Sequence, residues 1–270
     1  QMCIRDRHTV ALNDMKIAIF GHVPWKNHTI KYIISIKDFE SGQEKIIWNE
    51  IYDPLANVIE LPNGKKMYAR MNVSKSSTTS FGIAATSDGN LVVLSNKDGT
   101  VNEYSTDGDR IRTFSLNIDP VEITDADIER IYETQIDNFA KFQEKLSEER
   151  KLTDEELDMI RTKYKENFES QKDKIKVGDH LPLYSTVIMD SDGNVLVFEF
   201  TEEKGANKFN VYSYEMDGTL IGISSFETQE YDLTFTQDTF VFHDGFVYAM
   251  AVKKNANGVP LRLVKFRLSE

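Results

Sequence analysis

A pattern of four strand-like segments, with an Asp-Gly pair at two fixed places, occurs twice in this chain, and a repeat of that kind restricts the fold more than any local motif. The first copy runs from Ile83 to Leu94 around Asp88-Gly89, then from Val101 to Phe114 around Asp107-Gly108. The second runs from Val187 to Phe198 around Asp192-Gly193, then from Phe209 to Ile223 around Asp217-Gly218. Asp-Gly supplies the positive φ that tight hairpin turns need, and the flanking β-branched and aromatic residues suit a pleated sheet. Each copy therefore reads as a four-stranded antiparallel meander.

Partial copies flank these two. Upstream, Met15 to Phe20 and Ile30 to Ile36 lead through Lys37-Asp38-Phe39-Glu40-Ser41-Gly42 into Glu44 to Trp48, matching a third strand, turn and fourth strand. Downstream, Phe240 to Ala249 repeats the first hairpin around Asp244-Gly245, and Leu261 to Leu268 supplies a third strand. Asp192 and Asp244 are 52 residues apart and Asp88 and Asp192 are 104 apart, with a helical segment inside the longer interval. The underlying period is roughly 45 to 50 residues, the size of a propeller blade, although neither the WD40 nor the kelch signature is present. The expected fold is all-β: an incomplete β-propeller of about 3.5 to 4 blades of four-stranded antiparallel sheets, covering residues 8–270. A β-sandwich of the same length is the competing reading. It does not require hairpins in the same order at a fixed period.

The period changes from 2 to 3.6 at Pro120. Thr124-Asp125-Ala126-Asp127 reads as a capping box with Asp in the Glu position, ahead of Ile128, Ile131, Tyr132, Ile136, Phe139, Phe142 and Leu146 at helical spacing. Thr153-Asp154-Glu155-Glu156 is the standard form of that box, followed by Leu157, Ile160, Tyr164 and Phe168. Two amphipathic helices joined near Lys151 form a helical hairpin insertion, residues 121–176, between two blades. Such a connection leaves the propeller on the face that also carries the second-to-third-strand loops. With 16 acidic and 11 basic residues between Glu122 and Lys176, the insertion reads as a solvated element and not a basic membrane helix. Its apolar stripe serves either to pack on the blades or to dock a partner.

Residues 1–7 do not fit the pattern. Met-Cys-Ile-Arg-Asp-Arg can be written ATG TGT ATA AGA GAC AGR, which resembles the end of a transposon used to prepare sequencing libraries, so Gln1 to Arg7 is expected to be a translated adaptor on a truncated, metagenomic fragment. The single cysteine, Cys3, lies inside it. Disulfides, thiolate catalysis and cysteine-based zinc sites are then not expected in the rest of the chain.

Composition narrows the partners. Net charge is −12, from 32 Lys+Arg against 44 Asp+Glu, which leaves no broad basic surface to neutralise phosphates; nucleic acid is not an expected partner. The longest apolar runs, such as Val195 to Phe198, are strand-sized, and no transmembrane segment is expected. The histidines His8, His22, His28, His180 and His243 form no helical zinc pair, and Gly-x-Ser-x-Gly and clustered phosphate-loop glycines do not occur. Asp190-Ser191-Asp192-Gly193-Asn194 resembles the start of a calcium loop but lacks its later ligands, and reads as a hairpin turn. No catalytic residue, metal or cofactor is expected. His180, Tyr184 and Arg70, on the hairpin Val58 to Met71, are candidates for a central pocket, and Trp25, His22 and His28 form a polar-aromatic loop able to stack on a sugar ring. Each also has a purely structural reading.

Together, the Ser-Asp-Gly-Asn-Leu-Val-Val and Asp-Ser-Asp-Gly-Asn-Val-Leu-Val strands, the Tyr-Ser-Thr-Asp-Gly-Asp and Tyr-Glu-Met-Asp-Gly-Thr turns, and the acidic insertion opening Ile-Thr-Asp-Ala-Asp-Ile resemble the six-bladed NHL/TolB-like propeller proteins abundant in Bacteroidota. The resemblance covers most of residues 15 to 268 and rests on structural turns. It implies a periplasmic or surface lipoprotein of the cell envelope, its lipid anchor on a missing N-terminus. The function expected is a non-catalytic binding or scaffold module that recognises a peptide, glycan or partner protein through loops on one face. The alternative is a propeller-type hydrolase or lyase with a central-channel site.

Overall fold

The computed structural model describes residues 8–24, 29–52, 55–60, 66–71, 81–130, 133, 136, 153–170, 180–200, 208–233, 240–254 and 261–267. Four antiparallel sheets follow one another along the chain. Blade 1 consists of β1 (His8–Ala11), β2 (Lys16–Pro24), β3 (Ile30–Asp38) and β4 (Glu44–Tyr52), in that spatial order. A two-stranded hairpin, β5 (Leu55–Glu60) and β6 (Lys66–Met71), intervenes before blade 2, made of β7 (Phe81–Ala85), β8 (Leu91–Ser95), β9 (Thr100–Tyr104) and β10 (Arg110–Ser115). Helical residues then follow: α1, described over 125–130, and α2 (Asp154–Glu169). Blade 3 comprises β11 (Tyr184–Met189), β12 (Val195–Glu199), β13 (Lys208–Tyr214) and β14 (Leu220–Glu227). In blade 4, β15 (Tyr231–Leu233) and β16 (Phe240–His243) share one flank of β17 (Phe246–Lys253), and β18 (Leu261–Arg267) takes the other.

The fold is a β-propeller of four blades. Within blades 1 to 3 the strands are neighbours in chain order, and β1 packs on β7, β7 on β11 and β11 on β16, so each blade's inner strand meets that of the next. A sandwich would instead distribute the strands between two facing sheets.

The apolar runs in the sequence arise from this stacking. An interior blade is covered on both faces, so its strands need no polar side. Val187, Val195 and Val197 face blade 2, where they meet Val92, Leu94 and Val101. The alternate residues Ile188, Leu196 and Phe198 face blade 4 and meet Val247, Ala249 and Ala251. Ala18, Ile34 and Ile36 of blade 1 meet Ile83, Leu91 and Val93 of blade 2 in the same way.

Two readings of the sequence need correction. The upstream copy is a complete blade: β1 pairs with β2 from His8↔Phe20 to Ala11↔Ile17. Its turn carries no Asp-Gly signal, because the Asn13 side chain closes it by accepting from the Met15 and Lys16 amides at 2.9 and 2.8 Å. The last blade likewise gains β15, a three-residue piece of inner strand too short to show a period. The proposed adaptor (1–7), the helix junction near Lys151 and the end of the insertion at residue 176 lie outside the described residues.

Both helix starts are reciprocal capping boxes. The Thr124 amide donates to Asp127 at 2.8 Å and the Asp127 amide to the Thr124 hydroxyl at 3.3 Å; Thr153 and Glu156 exchange the same pair at 3.0 and 3.2 Å. On α2 the stripe Leu157, Ile160 and Tyr164 is buried, and the helix packs against β5.

Candidate functional site

Antiparallel meanders place every first-to-second and third-to-fourth turn on one face of the propeller and every other connection on the opposite face. On the turn face lie Asp88-Gly89, Asp107-Gly108, Asp192-Gly193 and Asp217-Gly218. They are short, and three of them, at Gly89, Asp107-Gly108 and Gly218, meet a neighbouring blade. A Cβ on Gly89 (φ +81°) would lie 2.4 Å from the Leu12 carbonyl oxygen of blade 1, and one on Gly218 (φ +92°) 3.0 Å from that of Ser115 in blade 2. Lys16 of blade 1 donates to Asp107 at 2.6 Å, and Lys45 bonds the Asp107 carbonyl and the Asp109 carboxylate, both at 2.8 Å. The hydrogen bond to Asp107 holds the Lys16 ammonium above the ordinary lysine range against opposing desolvation, and the same bond holds the Asp107 carboxyl below its usual range.

The opposite face carries both long connections, β5–β6 between blades 1 and 2 and the helical segment between blades 2 and 3. The helical segment is closed at its neck. Glu122 and His180 form an antiparallel bridge, and the Leu181 amide donates to the Val121 carbonyl at 2.8 Å. Each ring nitrogen of His180 faces a carbonyl oxygen, Nδ1 that of Leu181 at 2.6 Å and Nε2 that of Lys97 at 2.8 Å.

The junction between blades 2 and 3 on this face is sealed. Asn96, 3% exposed, accepts from the Leu183 and Tyr184 amides at 2.6 and 3.1 Å and donates to the Tyr184 carbonyl at 3.0 Å, standing in for a strand partner. Tyr184, 2% exposed, donates its hydroxyl to the Leu94 carbonyl at 2.5 Å and accepts from the Gly82 amide at 2.8 Å. Burial pushes this phenol far above the ordinary tyrosine range.

At the junction between blades 1 and 2 the structure is open. A cleft of about 230 Å³ lies between β4 and blade 2. Trp48, Phe81 and Tyr104 give it aromatic walls, with the Trp48 and Phe81 rings 4.3 Å apart at 55°. Glu50, Ser95, Lys97, Asp98, Thr100 and Asn102 supply its polar atoms. Most of these sit at strand ends or in the 96–99 loop, on the face that carries the insertions. For the Asp98 carboxyl, desolvation raises the pKa, but hydrogen bonds from Thr100 and Ser95 and the neighbouring Lys97 outweigh it and keep it below the usual range.

The sequence candidates do not converge. Tyr184 is a buried interblade strut and His180 part of the neck, so neither lines this cleft. His22 belongs to β2, not to a loop, and its ring lies 5.7 Å from that of Tyr32. Trp25 and His28 lie outside the described residues, and for Arg70 only the backbone, in β6, is described. The Asp190 carboxylate is taken up in its own turn, accepting from the Asp192 amide and from both nitrogens of Asn194 at 2.8–2.9 Å. Among the described residues, no three His, Cys, Asp or Glu side chains converge as metal ligands, and no helix is long and apolar enough to cross a membrane.

Trp48, Phe81 and Tyr104 carry no local motif; the sequence places Trp48 and Tyr104 only in strands and leaves Phe81 ahead of the repeat that starts at Ile83. One signal was present. Phe81 and Tyr184 open the inner strands of consecutive blades, so the hydroxyl that seals one junction is absent at the other.

No protein-family model matches the chain, and no curated protein matches it. Among solved structures it is similar to a streptogramin B lyase, with a TM-score of 0.31 and 9% identity over 98% of this chain and 69% of that one. It is similar also to a protein of unknown function from Bacteroides caccae, with a TM-score of 0.31 and 11% identity over 93% and 73%. A virginiamycin B lyase from Staphylococcus aureus gives a TM-score of 0.27 and 9% identity over 97% and 74%. Likenesses this distant carry nothing about activity, and the propeller assignment rests on strand order and blade stacking.

Proposed function

We propose that this propeller is a non-catalytic binding module whose partner is recognised on the insertion-bearing face. The observation that carries the reading is that both long connections, β5–β6 and the helical segment, leave from that one face, with α2 packed on β5. Loops on a rigid scaffold are where recognition residues concentrate. On the turn face, the Gly89, Asp107 and Gly218 turns are committed to joining blades. The finer resemblance to six-bladed NHL/TolB-like envelope lipoproteins belongs to the same proposal, supported by the Asp-Gly turns and their flanking strands, and it puts the partner in the cell envelope.

The test replaces residues 123–179 by a short Gly-Ser linker across the Glu122–His180 neck and measures capture on immobilised peptides and glycans. The expected result is a cooperatively unfolding blade array whose capture is weaker by about tenfold or more. Unchanged capture by a folded variant would remove the insertion from the recognition surface.

A further inference from the structure

The cleft between blades 1 and 2 has a chemistry of its own, and assigning it a ligand rests on the reading of its face as a recognition surface. At about 230 Å³ it is smaller than the roughly 300–1,000 Å³ of pockets that enclose a whole small molecule. That size suits one ring of a longer ligand whose neighbours lie along the face.

The wall composition selects among rings. Trp48, Phe81 and Tyr104 offer flat apolar surface, on which the C–H face of a saccharide or an aromatic group packs. Several polar groups in the wall have no partner among the described residues. The Trp48 Nε1–H, the Tyr104 hydroxyl and the Glu50 carboxylate have no hydrogen-bond partner among the described residues. Among the described residues the Asn102 side chain bonds through its Oδ1, accepting from the Thr113 hydroxyl at 2.8 Å, and its Nδ2 hydrogens meet no partner there.

Charge discriminates further. The lining carries two carboxylates, Glu50 and Asp98, against one ammonium, Lys97, so an anionic occupant is disfavoured. An uncharged group that both donates and accepts, and that has one apolar face, matches the described lining. We propose that the cleft formed by Trp48, Phe81 and Tyr104 with Glu50, Lys97, Asp98 and Asn102 binds one neutral sugar residue of a glycan, stacked on the aromatic wall. Asn102 and Trp48 donate to its hydroxyls, and Glu50 accepts from them.

The chain has two tryptophans, so in a Trp25→Phe background Trp48 reports alone. Its emission is followed while the full-length protein is titrated with cellohexaose, xylohexaose, mannohexaose and chitohexaose, and in parallel with pentalysine and pentaglutamate. The expected result is a saturable emission change with at least one neutral oligosaccharide and none with either peptide. Asn102→Ala should weaken that response about tenfold at an unchanged unfolding midpoint. A response to a charged peptide and to no oligosaccharide would overturn the sugar assignment and leave the face reading standing. No response to any probe, in a protein still capturing the immobilised panel, would remove the cleft but not the face. Loss of capture as well would remove both.

Discussion

The junctions on either side of blade 2 are built from corresponding strands, yet they end differently on the insertion-bearing face. Between blades 2 and 3, Tyr184 bonds two backbone groups of the preceding blade and Asn96 bonds three of the following one. Between blades 1 and 2, the corresponding residue is Phe81, which has no hydroxyl; its ring lies 4.3 Å from that of Trp48 and 5.9 Å from that of Phe20 and packs on the shared apolar core. Blade-on-blade burial therefore does not require sealing at the rim. The sealed junction anchors the neck of the helical segment, and the open one leaves aromatic faces, and polar atoms unpaired among the described residues, in reach of a ligand.

Changes at the sealed junction should be the most damaging. A Cβ on Gly82 would lie 2.2 Å from Val187 Cγ1 and 3.3 Å from the Tyr184 ring. Gly82→Ala is therefore expected to cost about 3 kcal/mol, the upper end for overpacking, read as a lowered urea midpoint. Tyr184→Phe leaves the Leu94 carbonyl and Gly82 amide buried without their partner and should cost about 2 kcal/mol. An unfolding free energy unchanged by that substitution would mean that the junction does not depend on its strut.

The open junction is held on the turn face by exposed charges, and it should be the more sensitive of the two to pH and salt. The Asp107 carboxyl is depressed in the folded state, chiefly by its bond to Lys16. Its contribution is present above the unfolded aspartate pKa near 3.9 and is lost as pH falls through the lower folded value. The Lys16 ammonium is raised, so its contribution is complete below the ordinary lysine pKa and disappears as pH rises through the folded value. Melting temperature should hold across the neutral range, fall at both extremes and decline slightly with salt. Lys16→Met should flatten both pH limbs. The smallest effect is expected in the cleft itself, where Lys97→Ala should change stability by no more than about 0.5 kcal/mol while altering ligand response.

The elements legible in the sequence were those with local rules. Asp-Gly turns located the hairpins because positive φ restricts residue choice, and the runs at Leu91–Leu94 and Val195–Phe198 reflected strands buried on both faces. Threonine with an acid three residues on located both helix starts. The strand β1 was not legible, because its turn is closed by the Asn13 side chain and spans four residues without Gly. The cleft was not legible either. Its walls come from β4, β7, β8 and β9, with Ile47 and Tyr104 at the extremes, and contacts between blades leave no periodic trace. The comparison of Phe81 with Tyr184 becomes informative only when the blades are aligned strand by strand.

The measurement that bears most directly on the division between the faces is hydrogen–deuterium exchange, with and without the strongest binder from the immobilised panel. Added protection is expected in residues 47–52, 95–104, 121–130 and 154–169, with residues 86–90, 105–109, 190–194 and 215–219 unchanged. Protection gathered in those four turns, with the insertion-bearing face unaltered, would contradict recognition on that face.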